Sequence, residues 1–201
     1  HGRRIAWSTD RGGQLLDLWI LDVATGETRQ LTRIPTSAMG AAWSRDGSRI
    51  AFLDVDGIWR RASVSVVDVA TGQVTKIQES TFGPSNPTWS ADGQRVATAA
   101  VVPYSGRFRE GTNQVRLIGT GVRAGTDERT NEEAGASFAP IPGKSIDSRV
   151  GAGHVWSPDG TKMLFVHDGV LWMIPVSRDG SPAGEPRRLT TEMGHAPTWA
   201  R

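Results

Sequence analysis

Cysteine is absent from the 201 residues of this chain, which excludes disulfide bonds and metal sites built on thiolates. Long apolar runs are also missing, so the sequence predicts no membrane-spanning helix. The chain carries 23 Lys and Arg against 21 Asp and Glu, and no basic run exceeds two residues. We therefore expect neither a membrane span nor nucleic-acid binding.

Several catalytic signatures are missing as well. The chain has no Gly-x-Ser-x-Gly nucleophile elbow, no phosphate-binding Walker loop and no His-Glu-x-x-His zinc motif. Each of these motifs would place a reactive or ligating group in a defined local structure. We accordingly predict no catalytic residue, no metal and no cofactor for this chain.

A short motif, Trp-Ser-x-Asp-Gly, recurs along the sequence. It occupies Trp43–Gly47, Trp89–Gly93 and Trp156–Gly160, and a last, incomplete copy starts at Pro197-Thr198-Trp199-Ala200. The four tryptophans are spaced 46, 67 and 43 residues apart, near the length of a propeller blade. Asp-Gly favours a tight turn, and the apolar, β-branched run that follows is typical of a buried strand.

Each repeat predicts four strands with a polar strand outermost, so the fold class is all-β. We expect one β-propeller domain over residues 1–201, with about four blades of four-stranded antiparallel sheet. Their approximate bounds are 1–39 plus 195–201, 41–88, 87–152 and 153–194.

The first blade lacks its own first strand in the sequence. Read in succession, Trp199-Ala200-Arg201 and His1-Gly2 resemble one complete turn motif. We therefore predict that the last strand completes the first blade, which would remove exposed sheet edges. Three assemblies stay open: a ring closed within one chain, a ring shared by two chains, and a segment of a longer polypeptide.

Residues 103–152 depart from the repeat by an excess of roughly twenty residues. The stretches 119–135 and 137–150 are rich in polar residues, Gly or Pro and show no clear period. They predict loops, and insertions of this kind often carry function.

The recurring segments resemble the TolB-type propeller repeat, also called the WD40-like Asp-Gly repeat. The resemblance rests on Trp43–Phe52, Trp89–Ala97 and Trp156–Phe165, and on the endings Leu31-Thr32 and Leu189-Thr190. It implies a β-propeller most like the propeller portion of bacterial amidohydrolases and peptidases, whose catalytic domains lie outside the propeller. The same resemblance favours a periplasmic or secreted location.

The turn aspartates Asp46, Asp92 and Asp159 are regularly spaced carboxylates. We interpret them as turn-forming residues, because Asp bonds its own backbone in such turns. A cation site requires several converging oxygens, which one carboxylate per blade does not supply.

Two histidines, His154 and His195, each follow a Gly and shortly precede a blade tryptophan. In a propeller this approach lies beside the central channel, so two imidazoles from neighbouring blades would face one opening. Imidazole binds divalent metals and titrates near neutral pH. The alternative is that both are ordinary loop residues bonded to nearby carbonyls.

An aromatic and arginine-rich loop forms the second candidate ligand site. Tyr104, Arg107 and Arg109 lie in the insertion of the third blade, and Trp59 reaches the same face from the second. Such a loop suits an anionic or peptide ligand. The alternative is a solvated loop with an anchoring aromatic side chain.

Three functions follow from these observations. The first is a non-catalytic propeller that binds a protein partner or gates an adjoining catalytic domain, as part of or derived from a larger bacterial hydrolase. The second is a hydrolase or lyase acting in the channel through His154, His195 and Arg107 or Arg109. The third is a structural, self-assembling propeller, in which a homo-oligomer shares one ring.

Overall fold

The computed structural model describes residues 2–11, 13–57, 61–82, 85, 87–103, 111–120, 137–138, 140–142, 154–194, 197 and 199. Within these ranges every regular element is a β-strand, and the strands form four antiparallel sheets. The described residues contain no helix that is long and apolar enough to cross a membrane. The predicted all-β class is therefore confirmed.

Each sheet is a simple meander in which a strand pairs with the next strand of the chain. The first sheet contains β1 (Arg4–Thr9), β2 (Asp17–Asp22) and β3 (Thr28–Gln30). The second contains β4 (Ser37–Trp43), β5 (Arg49–Val55), β6 (Arg61–Asp68) and β7 (Val74–Phe82).

The third and fourth sheets repeat this order. The third contains β8 (Thr88–Trp89), β9 (Arg95–Pro103), β10 (Gly111–Gly119) and β11 (Ser137–Phe138). The fourth contains β12 (Val155–Trp156), β13 (Lys162–His167), β14 (Val170–Pro175) and β15 (Arg187–Met193). The strands β4, β8 and β12 contact one another in succession, so they lie where the sheets converge.

Strand β5 shows why the repeat reads as an unbroken apolar run. Ile50 and Phe52 pack toward the first sheet, whereas Ala51 and Leu53 pack toward the third. Successive side chains of a strand point to opposite faces, and both faces of this sheet are covered. Full burial of a side chain such as Phe52 contributes about 1.5–3 kcal/mol.

Three hydrophobic cores hold the four sheets together, one between each neighbouring pair. Leu18 and Phe52 share the first core, Val64 and Trp89 the second. The third core joins Leu117 to Phe165. Each sheet is therefore stabilised by its neighbours rather than by a core of its own.

Two details differ from the sequence prediction. Strand β4 begins at Ser37, although the sequence prediction assigns residues 37–39 to the first blade. A two-residue strand, Ser137–Phe138, pairs with Val115 and Arg116 of β10 where a loop was expected. A strand of two residues is too short to produce a detectable period, which explains the second difference.

Completion of the first sheet by the last strand stays a prediction. The described first sheet has three strands, and only Pro197 and Trp199 of residues 195–201 are described. The indole of Trp199 donates a hydrogen bond of 3.4 Å to the carbonyl of Val155 in β12. The last tryptophan thus lies beside the first strand of the fourth sheet.

Candidate binding site

The Ser-x-Asp-Gly turn is a closed hydrogen-bonded unit. In the second sheet the Ser44 hydroxyl donates to Asp46 Oδ1 at 2.6 Å, and the Ser48 amide donates to the same oxygen at 3.1 Å. These bonds, the Ser44 bond first, lower the pKa of Asp46 to about 2. Gly47 follows with a φ of 71°, the left-handed conformation that glycine adopts without strain.

The same turn recurs in the next two sheets. Ser90 donates to Asp92 at 2.6 Å, and Ser157 donates to Asp159. The Ser157 hydroxyl is the main cause that lowers the pKa of Asp159 to about 2. The predicted turn-forming role of these aspartates is confirmed. The described residues contain no group of three or more His, Asp or Glu side chains that could hold a metal ion.

The motif tryptophans connect neighbouring sheets. Trp89 donates its indole N–H to the Ala42 carbonyl at 2.9 Å, and Trp156 donates to the Thr88 hydroxyl at 3.0 Å. In both cases the acceptor belongs to the first strand of the preceding sheet. A buried indole usually finds such a partner, and here the bond fixes the spacing of the converging strands.

An arginine two residues after the turn glycine adds a second connection, which the sequence prediction missed. The Arg49 guanidinium lies 4.7 Å from the Trp89 ring and donates to the Gly93 carbonyl at 2.8 Å. Arg4 does the same one sheet earlier, 5.0 Å from the Trp43 ring. The signal in the sequence is the recurrence of Arg at one fixed offset from the glycine.

A cavity of about 1040 Å³ opens where the turn ends of β4, β8 and β12 converge. We call it the turn-end cavity. Its wall combines the turns of the second, third and fourth sheets with the segment that precedes β1. Tryptophans contribute to the wall at four positions: Trp43, Trp89, Trp156 and Trp199.

The described charges of this wall are mainly positive. Arg3, Arg4 and Arg45 line the turn-end cavity together with Asp46. Arg3 and Arg45 are exposed, and no salt bridge is found for either among the described residues. The Asp46 carboxylate is already engaged by the turn. The cavity therefore offers guanidinium groups beside aromatic surface.

His154 is positioned differently from the expectation. It precedes β12 and is buried, and neither ring nitrogen has a hydrogen-bond partner among the described residues. Burial lowers the pKa of His154 to about 4 and outweighs the Ala97 backbone, which acts in the opposite direction. The imidazole is therefore neutral at pH 7, and His154 does not line the turn-end cavity.

The other candidate site residues lie outside the described residues. These are His195, Tyr104, Arg107, Arg109 and Trp59. Convergence of His154 with His195, and ligand binding by the aromatic and arginine-rich loop, therefore stay predictions.

The fold resembles several solved structures. TolB from Acinetobacter baumannii matches with a TM-score of 0.63 and 16% identity, over 94% of this chain and 41% of that one. A prolyl endopeptidase matches with a TM-score of 0.62 and 17% identity, over 96% of this chain and 29% of that one. The β-propeller domain of the Trilobed protease from Pyrococcus furiosus matches with a TM-score of 0.56 and 12% identity, over 94% of this chain and 54% of that chain.

These similarities define the fold as a TolB-like β-propeller, and it is similar to the propellers of peptidases. The repeat in the sequence predicted this fold. The chain spans less than two thirds of each of the three structures. No protein-family model and no curated protein matches the sequence.

Proposed function

We propose that this chain is a non-catalytic β-propeller that recognises a protein partner through the turn-end cavity. The observation that carries the proposal is the wall of that cavity of about 1040 Å³, to which four tryptophans and three exposed arginines contribute. Trp and Arg are the residues most enriched among those that dominate protein interfaces.

The electrostatics of the cavity favour an acidic partner segment. Arg3 and Arg45 have no described carboxylate partner, so a Glu or Asp side chain of the partner would meet available donors. Guanidinium groups bind carboxylates in a bidentate geometry. Aromatic faces beside them suit the apolar parts of a peptide. An extended acidic peptide satisfies both features.

The partner is either a separate protein or an adjoining catalytic domain whose access the propeller gates. Peptidases among the similar structures support the second form, since this chain spans 29% of the prolyl endopeptidase and 31% of an acylaminoacyl peptidase. The first form, and a periplasmic or secreted location, rest on the resemblance of the repeat to the TolB type. The described residues do not favour a channel enzyme, because His154 is buried and is not among the residues that line the cavity.

Selection of random peptides displayed on phage tests the proposal without assuming a partner. We expect the chain to enrich acidic peptides that contain aromatic or aliphatic residues. The variant Arg45→Glu should lose them by at least tenfold in affinity, since it reverses one charge in the wall. Arg178→Glu reverses a charge that is also exposed, in the hairpin after β14, and should bind like the native chain. No enrichment, or equal binding by Arg45→Glu, would refute the proposal.

A further inference from the structure

We propose that the two end faces of the stack of sheets bind each other between two copies of this chain. The first-sheet face is the side of β1 and β2 turned away from the second sheet. The last-sheet face is the side of β14 and β15 turned away from the third sheet. Each carries the residues that form the interfaces between sheets inside the chain, and each is exposed. This contact is separate from the turn-end cavity.

The first-sheet face matches the face of the second sheet that is buried against the first. Ile5 pairs in register with Leu21, as Ile50 pairs with Val67. Ile50 is fully buried, but Ile5 is 51% exposed. Ala6, the next residue of β1, packs against the second sheet, so Ile5 points to the opposite face.

Val23 extends this match into the following turn. The segments Asp22–Gly26 and Asp68–Gly72 are both Asp-Val-Ala-Thr-Gly. Val69 is 3% exposed because the first sheet covers it, whereas Val23 is 51% exposed. The first-sheet face thus has the side chains of a sheet interface, and no sheet among the described residues covers it.

The last-sheet face matches the surface of the first sheet that packs against the second sheet inside the chain. Leu31 follows β3 and packs into the core between the first and second sheets, where it is 6% exposed. Leu189 holds the same position in β15, one residue after the partner of the strand tryptophan. It is 39% exposed and borders a groove of about 490 Å³ that also includes Leu171 and Met193.

The match between the two end faces and the interface of the first and second sheets extends to a polar contact. Arg29 of the first sheet donates a hydrogen bond to the Val69 carbonyl of the second. By the matches above, Arg187 is the counterpart of Arg29, and Val23 is the counterpart of Val69. The donor of this contact is therefore exposed on the last-sheet face, and its acceptor residue is exposed on the first-sheet face.

A second copy is the occupant that fits both faces at once. The two faces are complementary halves of one interface, and their described residues Ile5, Val23 and Leu189 are all exposed, so these residues do not cover one another. The contact is head-to-tail, in the same sense as the three interfaces inside the chain. Two copies related by a twofold axis form it twice, which closes a ring. Closure of the ring would also bury the apolar side chains of both faces, which promote aggregation when they are exposed.

Light scattering after size-exclusion chromatography of the whole chain tests this proposal. We expect twice the mass of one chain. Leu189→Glu and Val23→Glu should each raise the dissociation constant at least a hundredfold and give monomers, with an unchanged circular dichroism spectrum. Leu15→Glu replaces an exposed leucine in the loop between β1 and β2 and should leave the dimer intact.

Mixing the two monomeric variants distinguishes head-to-tail contact from other arrangements. In a mixed pair one interface joins two native faces, so we expect Leu189→Glu and Val23→Glu to form a heterodimer when combined. A native chain that stays monomeric at high concentration overturns the proposal. A dimer insensitive to both variants, or a mixture that stays monomeric, overturns it as well. Peptide binding by the turn-end cavity is measured in a separate experiment with Arg45→Glu, because Arg45 lies on neither end face.

Discussion

Phe52 and Trp7 hold the same position in two copies of the repeat, and their surroundings differ completely. Phe52 lies two residues after Ile50 in β5, and Trp7 lies two residues after Ile5, the equivalent isoleucine, in β1. Phe52 is fully buried between two sheets, whereas Trp7 is partly exposed on the first-sheet face. The repeat supplies an apolar side chain in both cases. The neighbouring sheet decides how much that side chain stabilises the fold.

The largest difference in stability is expected when each of these two side chains is replaced by alanine. Phe52→Ala should lower the free energy of unfolding by about 3–5 kcal/mol, because it leaves a cavity between sheets. Trp7→Ala should cost roughly 1 kcal/mol, mainly from contact with Trp19 at a ring separation of 6.5 Å. Urea unfolding of the monomer at low concentration measures both. Equal losses would contradict the comparison.

His154 occupies a position at which the repeats carry chemically different side chains. Ala41 and Pro87 occupy the equivalent place, two residues before the motif tryptophan. The pKa of His154 is about 4 in the folded chain and about 6.5 when unfolded. The unfolded state therefore binds the proton first, and stability is lost as the pH falls from about 6.5 to about 4.

The expected loss from His154 over this window is about 3 kcal/mol. His154→Leu should remove that part of the pH dependence. Unfolding free energies at neutral pH and at pH values approaching 4 measure the difference. If both proteins lose the same stability, His154 is not buried as a neutral ring.

The turn glycines provide a closely matched pair. Gly93 and Gly160 have φ values of 69° and 72°. A Cβ added at Gly93 would meet nothing within 4 Å, but one added at Gly160 would lie 2.0 Å from the Ala91 side chain. Gly93→Ala should cost about 1 kcal/mol for the backbone strain alone. Gly160→Ala should cost roughly 2–3 kcal/mol, because overpacking between sheets is added; thermal unfolding checks the order.

The smallest expected difference concerns the arginine that connects the sheets. Arg49→Ala removes the contact with the Trp89 ring and the bond to the Gly93 carbonyl, and it should cost about 1–2 kcal/mol. Lys162 holds the same offset after the turn glycine in the fourth sheet, and Lys162→Ala should cost less than about 0.5 kcal/mol. Comparable losses would show that the offset, rather than the neighbouring sheet, sets the contribution.

Local features were predictable from the sequence because local chemistry determines them. Asp46 and Gly47 fix a turn through their own backbone, and the alternation around Ile50 requires apolar surface on both faces. The repeat length then identified the fold. The bond from Ser44 to Asp46 follows from the same local spacing.

Features that depend on distant segments could not be predicted in this way. The contact of Arg49 with Trp89 joins residues of neighbouring sheets, and only the recurrence of Arg at one offset hinted at it. The buried, unpaired ring of His154 depends on how the third sheet packs against the fourth. The positive charge of the turn-end cavity arises because Arg3 and Arg45 line the same cavity, although they are far apart in the chain.

The indoles of Trp43, Trp89 and Trp156 all border one opening. Their emission depends on the polarity around each ring and on access by quenchers from the solvent. An occupant of that opening would shield them and shift their spectrum, whereas an event elsewhere on the surface would leave them unchanged. The motif that holds the sheets together thus also gives the protein an intrinsic optical reporter at the place where we expect it to bind.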